Sequence, residues 1–256
     1  MGDASEIYPL ARDPIESRRV WLVEAQAYLN EKVSNDSNRF FHGFDISDAQ
    51  FLTSPPAGIE LSVQDILKPF PAEHHNRYDL VNVRMLVAAL KEPEYEKAVK
   101  NLMTILSKPG VIQPGGYLQW VDLDSLELPN SEDTEHPRTA ELVRYWLKFL
   151  EINGLSLSPP TAAERACERA GMVEVSNTFF ALNDSRGDFR STVQEWQADA
   201  FAAIVPGIMA KFGEAASIEE AREKVDEALQ GLWEFYHEGK VVGLRFGSVV
   251  GKKIEE

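Results

Sequence analysis

The sequence predicts an α/β protein. Short strand-like runs alternate with helical or crossover segments through the first half. One of these runs is apolar almost throughout, and the second half is mostly helical. That alternation indicates a sheet of mostly parallel strands covered by helices. At 256 residues and 44% hydrophobic, the chain can build one large core or two small ones. The same composition excludes a disordered or low-complexity chain.

The elements follow in order. Asp13 can cap a helix, Pro14 suits its first position, and Glu16 stands where a capping-box acid belongs. Trp21, Ala25, Tyr28 and Leu29 then recur at helical spacing to about Glu31, and the polar residues 34–38 end the helix in a loop. Strand-like runs come at Arg39–Ile46, Ile59–Val63 and Tyr78–Leu86, the last expected to be buried on both faces. A helix follows, with Tyr95, Val99, Leu102, Met103 and Leu106 on one side and Pro93 near its start. Lys108-Pro109-Gly110 and Pro114-Gly115-Gly116 read as turns before a fourth strand, Tyr117–Leu123. Leu142, Tyr145, Trp146, Phe149 and Leu150 form an apolar stripe, and Ser217 with Glu220 forms a capping box ahead of another. Strand-like runs at Met172–Leu182 and Val241–Val250 close the chain. With no internal repeat or linker, the expectation is a single domain over 1–256. It comprises an N-terminal helix (1–33), a sheet core (39–124), a helical region (125–240) with a strand near 172–182, and a last strand (241–250).

Charge narrows the partners. With 26 basic and 41 acidic residues, a balance of −15, the surface would repel phosphate backbones and anionic membranes. A small-molecule substrate is favoured. No apolar run approaches the ~18 residues that span a bilayer, no secretory signal is visible, and the one cysteine, Cys167, fits a reducing compartment. A cytoplasmic protein is expected. No spacing of ligand-type residues suggests a metal, and no G-x-S-x-G suggests a serine hydrolase. Cys167 lies among acidic neighbours that raise a thiol's pKa.

Four strings, FHGFDIS (41–47), SVQDILKPFP (62–71), YDLVNVRMLV (78–87) and QPGGYLQWVDLD (113–124), together with the opening IYPLARDPIESRR, resemble class I S-adenosylmethionine-dependent methyltransferases. The resemblance is to the type found in fungal secondary-metabolite clusters. It covers most of the chain in the expected order. It implies a Rossmann-like sheet whose last two strands, here 172–182 and 241–250, form an antiparallel pair, with helical insertions. It implies that Asp45, followed by Ile46, holds the ribose hydroxyls of S-adenosyl-L-methionine, a task suited to a carboxylate that accepts two charge-assisted hydrogen bonds. Asp65 and Ile66 would read the adenine edge, and Asn82, Val83 and Arg84 would face the methionine half and the reacting methyl. These positions agree with ligand binding beyond the carboxyl ends of strands in open α/β sheets. Other readings stand beside these. Asp45 can cap a helix, Asp65 can close an Asx-turn, Arg84 can form a structural ion pair, and Gly115-Gly116 can be turn chemistry alone.

One part of that pattern is missing. The family's first strand, its D-x-G-x-G-x-G turn and the following helix, which receive the methionine carboxylate, have no counterpart between Leu29 and Arg39. Either the strand before Asp45 pairs directly with Tyr78–Leu86, or another segment or subunit fills the gap. A homodimer or protein partner covering that edge is therefore expected as an option. Loss of two or three hydrogen bonds to a charged group, at ~1.5–3 kcal/mol each, weakens cofactor binding by roughly 10²–10⁵-fold.

The sequence-level expectation is methylation of an oxygen or nitrogen on a small-molecule secondary metabolite. The alternative is a methyltransferase-like protein that no longer methylates and acts as a cofactor-independent cyclase or isomerase, or as a partner subunit. Methyl transfer from a sulfonium is chiefly a matter of positioning. His74, His75 and Arg84 are the candidates for catalysis, although AEHHNR also reads as a polar surface turn. Trp120, Trp146, Trp196 and Phe201 can line a pocket or fill the core.

Overall fold

The computed structural model describes residues 39–49, 51–107, 115–126, 137–182, 190–239 and 244–254. The expected helix from Asp13 to about Glu31 lies outside them, as do the loop 34–38, the turn at 108–110 and Pro114. The chain divides into two compact units, Met1–Lys68 and Pro69–Glu256.

In the first unit, β1 (Phe41–Asp45) and β2 (Ile59–Val63) run parallel, in register from Phe41 opposite Ile59 to Asp45 opposite Val63. Both lie within the runs expected from sequence. His42 ties the pair together. Its Nε2 lies 2.8 Å from the Ser62 hydroxyl, and its ring stacks on Phe44 at 4.2 Å, two residues along on the same face of the strand.

The second unit contains β3 (Leu80–Arg84), α1 (Glu94–Ile105), β4 (Tyr117–Asp124), α2 (Pro137–Asn153), α3 (Pro159–Arg169), β5 (Val173–Leu182), α4 (Arg190–Lys211), α5 (Ile218–His237) and β6 (Leu244–Lys252). Its sheet has the order β3-β4-β6-β5. β3 and β4 are parallel, whereas β6 runs antiparallel to both β4 and β5. The expected antiparallel pair at the end of the chain is thus present, with the last strand inserted beside β4. The fold is α/β, an incomplete Rossmann-like sheet with added helices. Within the first unit β1 is hydrogen-bonded to β2.

Packing explains the positions of the helices. On one face of β4, Leu118, Trp120 and Asp122 are each no more than 1% exposed. The Trp120 ring lies 5.3 Å from that of Tyr95 on α1. On the same face Gly247 of β6, opposite Asp122, lies against α3, so a Cβ there would sit 2.4 Å from the Pro160 Cβ. Gly116 serves a similar purpose. A Cβ would meet the Tyr78 carbonyl oxygen at 2.8 Å, so this glycine admits close packing as well as a turn. β3 departs from the sequence reading. Val83 is buried, but Leu80 at its start is 56% exposed, because among the described residues nothing covers that end of the strand.

Helices α2, α4 and α5 pack against one another. Glu214, between α4 and α5, joins them by accepting from the Tyr145 hydroxyl, from Lys148 Nζ at 3.1 Å, and by pairing with Arg144. The Tyr145 hydrogen bond, with Lys148 beside it, holds its carboxyl below the usual range. The Ser217 hydroxyl accepts from the Glu220 N–H at 3.2 Å, and the Glu220 carboxylate accepts from Ala216 N–H at 2.8 Å. That is the expected capping box, with its return bond shifted by one residue.

The glycine contacts separate two conservative substitutions. Gly247→Ala forces β6 and α3 apart and should lower stability by about 1–3 kcal/mol. Gly251→Ala meets only the flexible Met172 side chain, at 3.3 Å, and should fall within ~0.5 kcal/mol of wild type. Urea denaturation of the two variants measures the difference.

Candidate functional site

Candidate residues in the first unit gather at the carboxyl ends of β1 and β2. Asp45 is the last residue of β1 and is exposed. One carboxylate oxygen accepts from the Ser47 N–H at 3.1 Å, closing an Asx-turn in place of the helix cap considered from sequence. The carboxylate lies at the exposed end of the strand, and burial raises its pKa against the opposing backbone bonds from Ser47 and Ile46. Asp65 lies two residues beyond β2. Its Oδ1 accepts from the Leu67 N–H at 2.9 Å, and Oδ2 pairs with Lys68 Nζ at 3.3 Å. The Gln64 amide N–H donates to the Asp45 carbonyl oxygen at 2.7 Å. That bond joins the two turns, so both acids are held at one end of the strand pair. The Asx-turn and ligand readings are compatible, since an Asx-turn consumes one acceptor and fixes the carboxylate that carries the others. Ile46 is exposed and Ile66 half-buried beside them.

In the second unit, Asn82, Val83 and Arg84 form the second half of β3, in register with Gln119, Trp120 and Val121 of β4. Asn82 donates its Nδ2–H to Gln119 Oε1 at 2.7 Å. Val83 is core, and Arg84 is half-buried at the strand's carboxyl end. His74 and His75 are positioned by local structure. His74 is buried, with Nδ1 2.9 Å from the Tyr78 hydroxyl, and His75 Nε2 lies 3.0 Å from the Phe70 carbonyl oxygen. The segment is an exposed turn in which His74 alone is buried. Trp120, Trp146 and Phe201 are core residues. Burial first, and then Glu168 and Glu164, push the Cys167 thiol up to about 12, which leaves it an inert thiol.

Sequence reasoning passed over the most constrained group at this strand end. Asp122 on β4 is fully buried. Its Oδ2 accepts from the Leu86 N–H at 2.9 Å and from the Trp120 indole N–H at 3.2 Å. Its Oδ1 accepts from the Val87 N–H at 3.1 Å and the Leu123 N–H at 2.9 Å. The chain leaves β3 through Met85, whose φ of 54° lies in the left-handed region, and Asp122 caps the N–H groups of the turn that follows. Two residues onward on the same strand, Asp124 is also buried and pairs with Arg245 Nε at 3.0 Å. A buried aspartate bonding to a segment 35 residues away carries no local sequence signal; the string QWVDLD shows only a strand with acids in it.

Burial pushes the Asp122 carboxyl up to about 6 from an ordinary 3.8, against the opposing effect of its four N–H partners. Tyr95, on the same side, has its hydroxyl pushed up by burial and by Asp122. Between about pH 4 and 6 the folded chain therefore holds a proton on Asp122 that the unfolded chain has released. Stability from this group is fully present below pH ~4 and is lost as pH rises through about 6. Urea melts of wild type and Asp122→Asn should show the wild type's relative stability falling by about 3 kcal/mol from pH 4 to pH 7. A difference that does not change with pH would contradict the buried titration.

Among the described residues, no helix is long and apolar enough to cross a membrane, and no group of three His, Cys, Asp or Glu is placed to hold a metal ion. No family model matches the chain. It is 34% identical to methyltransferase grgD of a Penicillium species over 151 residues, 58% of this chain and 50% of that protein. It is 32% identical to N-methyltransferase sirN of Leptosphaeria maculans, over 40% of this chain and 31% of the relative. With N-methyltransferase gliN of Aspergillus fumigatus it shares 27% identity, over 62% and 63%. The chain thus spans about half the length of the curated relatives it matches.

Proposed function

We propose that this chain, a sequence homologue of fungal methyltransferases, is an S-adenosylmethionine-dependent methyltransferase acting on a small molecule. The observation that carries this reading is the sequence relationship to methyltransferase grgD. Two of the relatives are named N-methyltransferases, which favours nitrogen as the methyl acceptor.

The residues of the first unit suit the nucleoside half of the cofactor. Asp45 keeps an acceptor oxygen for the ribose hydroxyls while its Asx-turn fixes the carboxylate. Asp65 and Ile66 offer an acceptor and an apolar surface to the adenine. Lys68, the competing partner of Asp65, is exposed and gives up little on release, since exposed ion pairs are worth ~0–1 kcal/mol. In the second unit, Asn82, Val83 and Arg84 are assigned to the methionine half. When bound, the cofactor supplies an electrophilic methyl on a sulfonium. The protein's part is to bind and orient. The carboxylate cradle that a glycine-rich turn provides has no counterpart in the sequence, so affinity for the nucleoside half rests on the two acids. A second copy or a partner strand along β3, an edge strand among the described residues, would complete the sheet.

Isothermal titration with S-adenosylhomocysteine tests the reading. Wild type should bind with a dissociation constant below millimolar. Asp45→Ala should bind at least about 10-fold more weakly, as expected for loss of charge-assisted hydrogen bonds at ~1.5–3 kcal/mol each. No heat at millimolar ligand, from protein folded by circular dichroism, would refute the methyltransferase assignment in favour of a non-methylating enzyme or a partner subunit.

A further inference from the structure

Two expensive features meet at the carboxyl end of β3. The first is a fully buried carboxylate. Stability alone would be served as well by an apolar side chain of similar volume. Here the carboxylate is matched to four N–H donors, two of them, Leu86 and Val87, from the segment leaving β3. The second is Met85, a non-glycine residue at φ 54°. Its N–H is already held by the Val121 carbonyl oxygen at 3.1 Å. Immediately after it, the Ala89 and Leu90 N–H groups donate to the Leu86 carbonyl oxygen, and Val87, Ala88 and Leu90 are buried. The turn is thus held by its backbone from both sides and anchored by its side chains. Backbone strain concentrates where surrounding structure over-determines a functional conformation.

We propose that Asp122 is a positioning residue, whose carboxylate fixes the Met85–Val87 turn and so gives the carboxyl end of β3 one backbone shape for receiving the cofactor. This inference rests on the cofactor-dependent reading above. Asp122 acts through the turn and touches no reacting atom. An amide at position 122 presents its NH₂ group to two of the four N–H donors, so those bonds are lost and the turn is released.

The test measures S-adenosylhomocysteine affinity by titration, well below the melting temperature of every variant. Alongside it, hydrogen exchange is followed in the peptide spanning 84–90. The proteins are wild type, Asp122→Asn, Trp120→Phe and a core control, Val99→Ala, whose fully buried site on α1 carries no assigned role. Asp122→Asn should bind about 10-fold more weakly and exchange faster in 84–90. Trp120→Phe removes one of the four donors while keeping the ring, so it should shift both readouts in the same direction by a few-fold, even if Asp122→Asn does not fold. Val99→Ala lowers the melting temperature but should bind within about twofold of wild type. If wild type binds while Asp122→Asn or Trp120→Phe binds no more weakly than Val99→Ala, the positioning role is overturned and the cofactor reading survives. If wild type does not bind, both fall.

Discussion

The second unit depends on a carboxylate that its own sheet hides from water. Asp122 lies in the middle of β4, beneath α1 and α3, where an unpaired charge would be prohibitive. Four N–H groups make it tolerable, and in doing so they decide where the chain goes after β3. The bond to Trp120 orients an indole that fills the space against Tyr95, and the bond to Leu123 fixes the aspartate's own strand. One side chain thus couples a parallel strand pair, the helix that crosses between them, and the turn at their carboxyl end.

Around that point the sheet is asymmetric. β3 and β4 run parallel and end at the same side, where open α/β sheets bind ligands. β6 and β5 run antiparallel and pack beneath α3, with Gly247 shaved to fit Pro160. In the first unit the same rule is repeated on a smaller scale, with Asp45 and Asp65 at the carboxyl ends of a parallel pair. Each acid gives one oxygen to a backbone N–H of its own turn. Rigidity comes from that bond, and the second oxygen of Asp65 pairs with the exposed Lys68.

Much of this was legible in the sequence. Both strands of the first unit, β4, the two closing strands and the Ser217–Glu220 cap came from period, turn residues and capping chemistry, which are local signals; that the closing strands pair antiparallel came from the resemblance. Asp45 and Asp65 were found by resemblance; the Asx-turn at Asp65 follows from the residue type, whereas Asp45 read as a helix cap and forms an Asx-turn instead. What escaped was non-local. The exposure of Leu80 depends on what covers β3, and the second function of Gly116 on the approach of Tyr78. Cys167 was expected to be inert because of its acidic neighbours; burial is the larger cause. Asp122 was unreadable for the plainest reason: two of its four partners are 35 and 36 residues distant, and a strand aspartate looks the same whether it faces water or four N–H groups.

The central claim is that the chain binds S-adenosylmethionine although the sequence has no glycine-rich turn. Amide chemical-shift mapping of the ¹⁵N-labelled protein, titrated with S-adenosylhomocysteine, tests it most directly. The account predicts saturable shifts at Ser47 and Leu67, whose N–H groups bond to Asp45 and Asp65, and at Leu86 and Val87 beside Asp122. A folded protein whose spectrum stays unchanged, or whose shifts fall elsewhere, would contradict it.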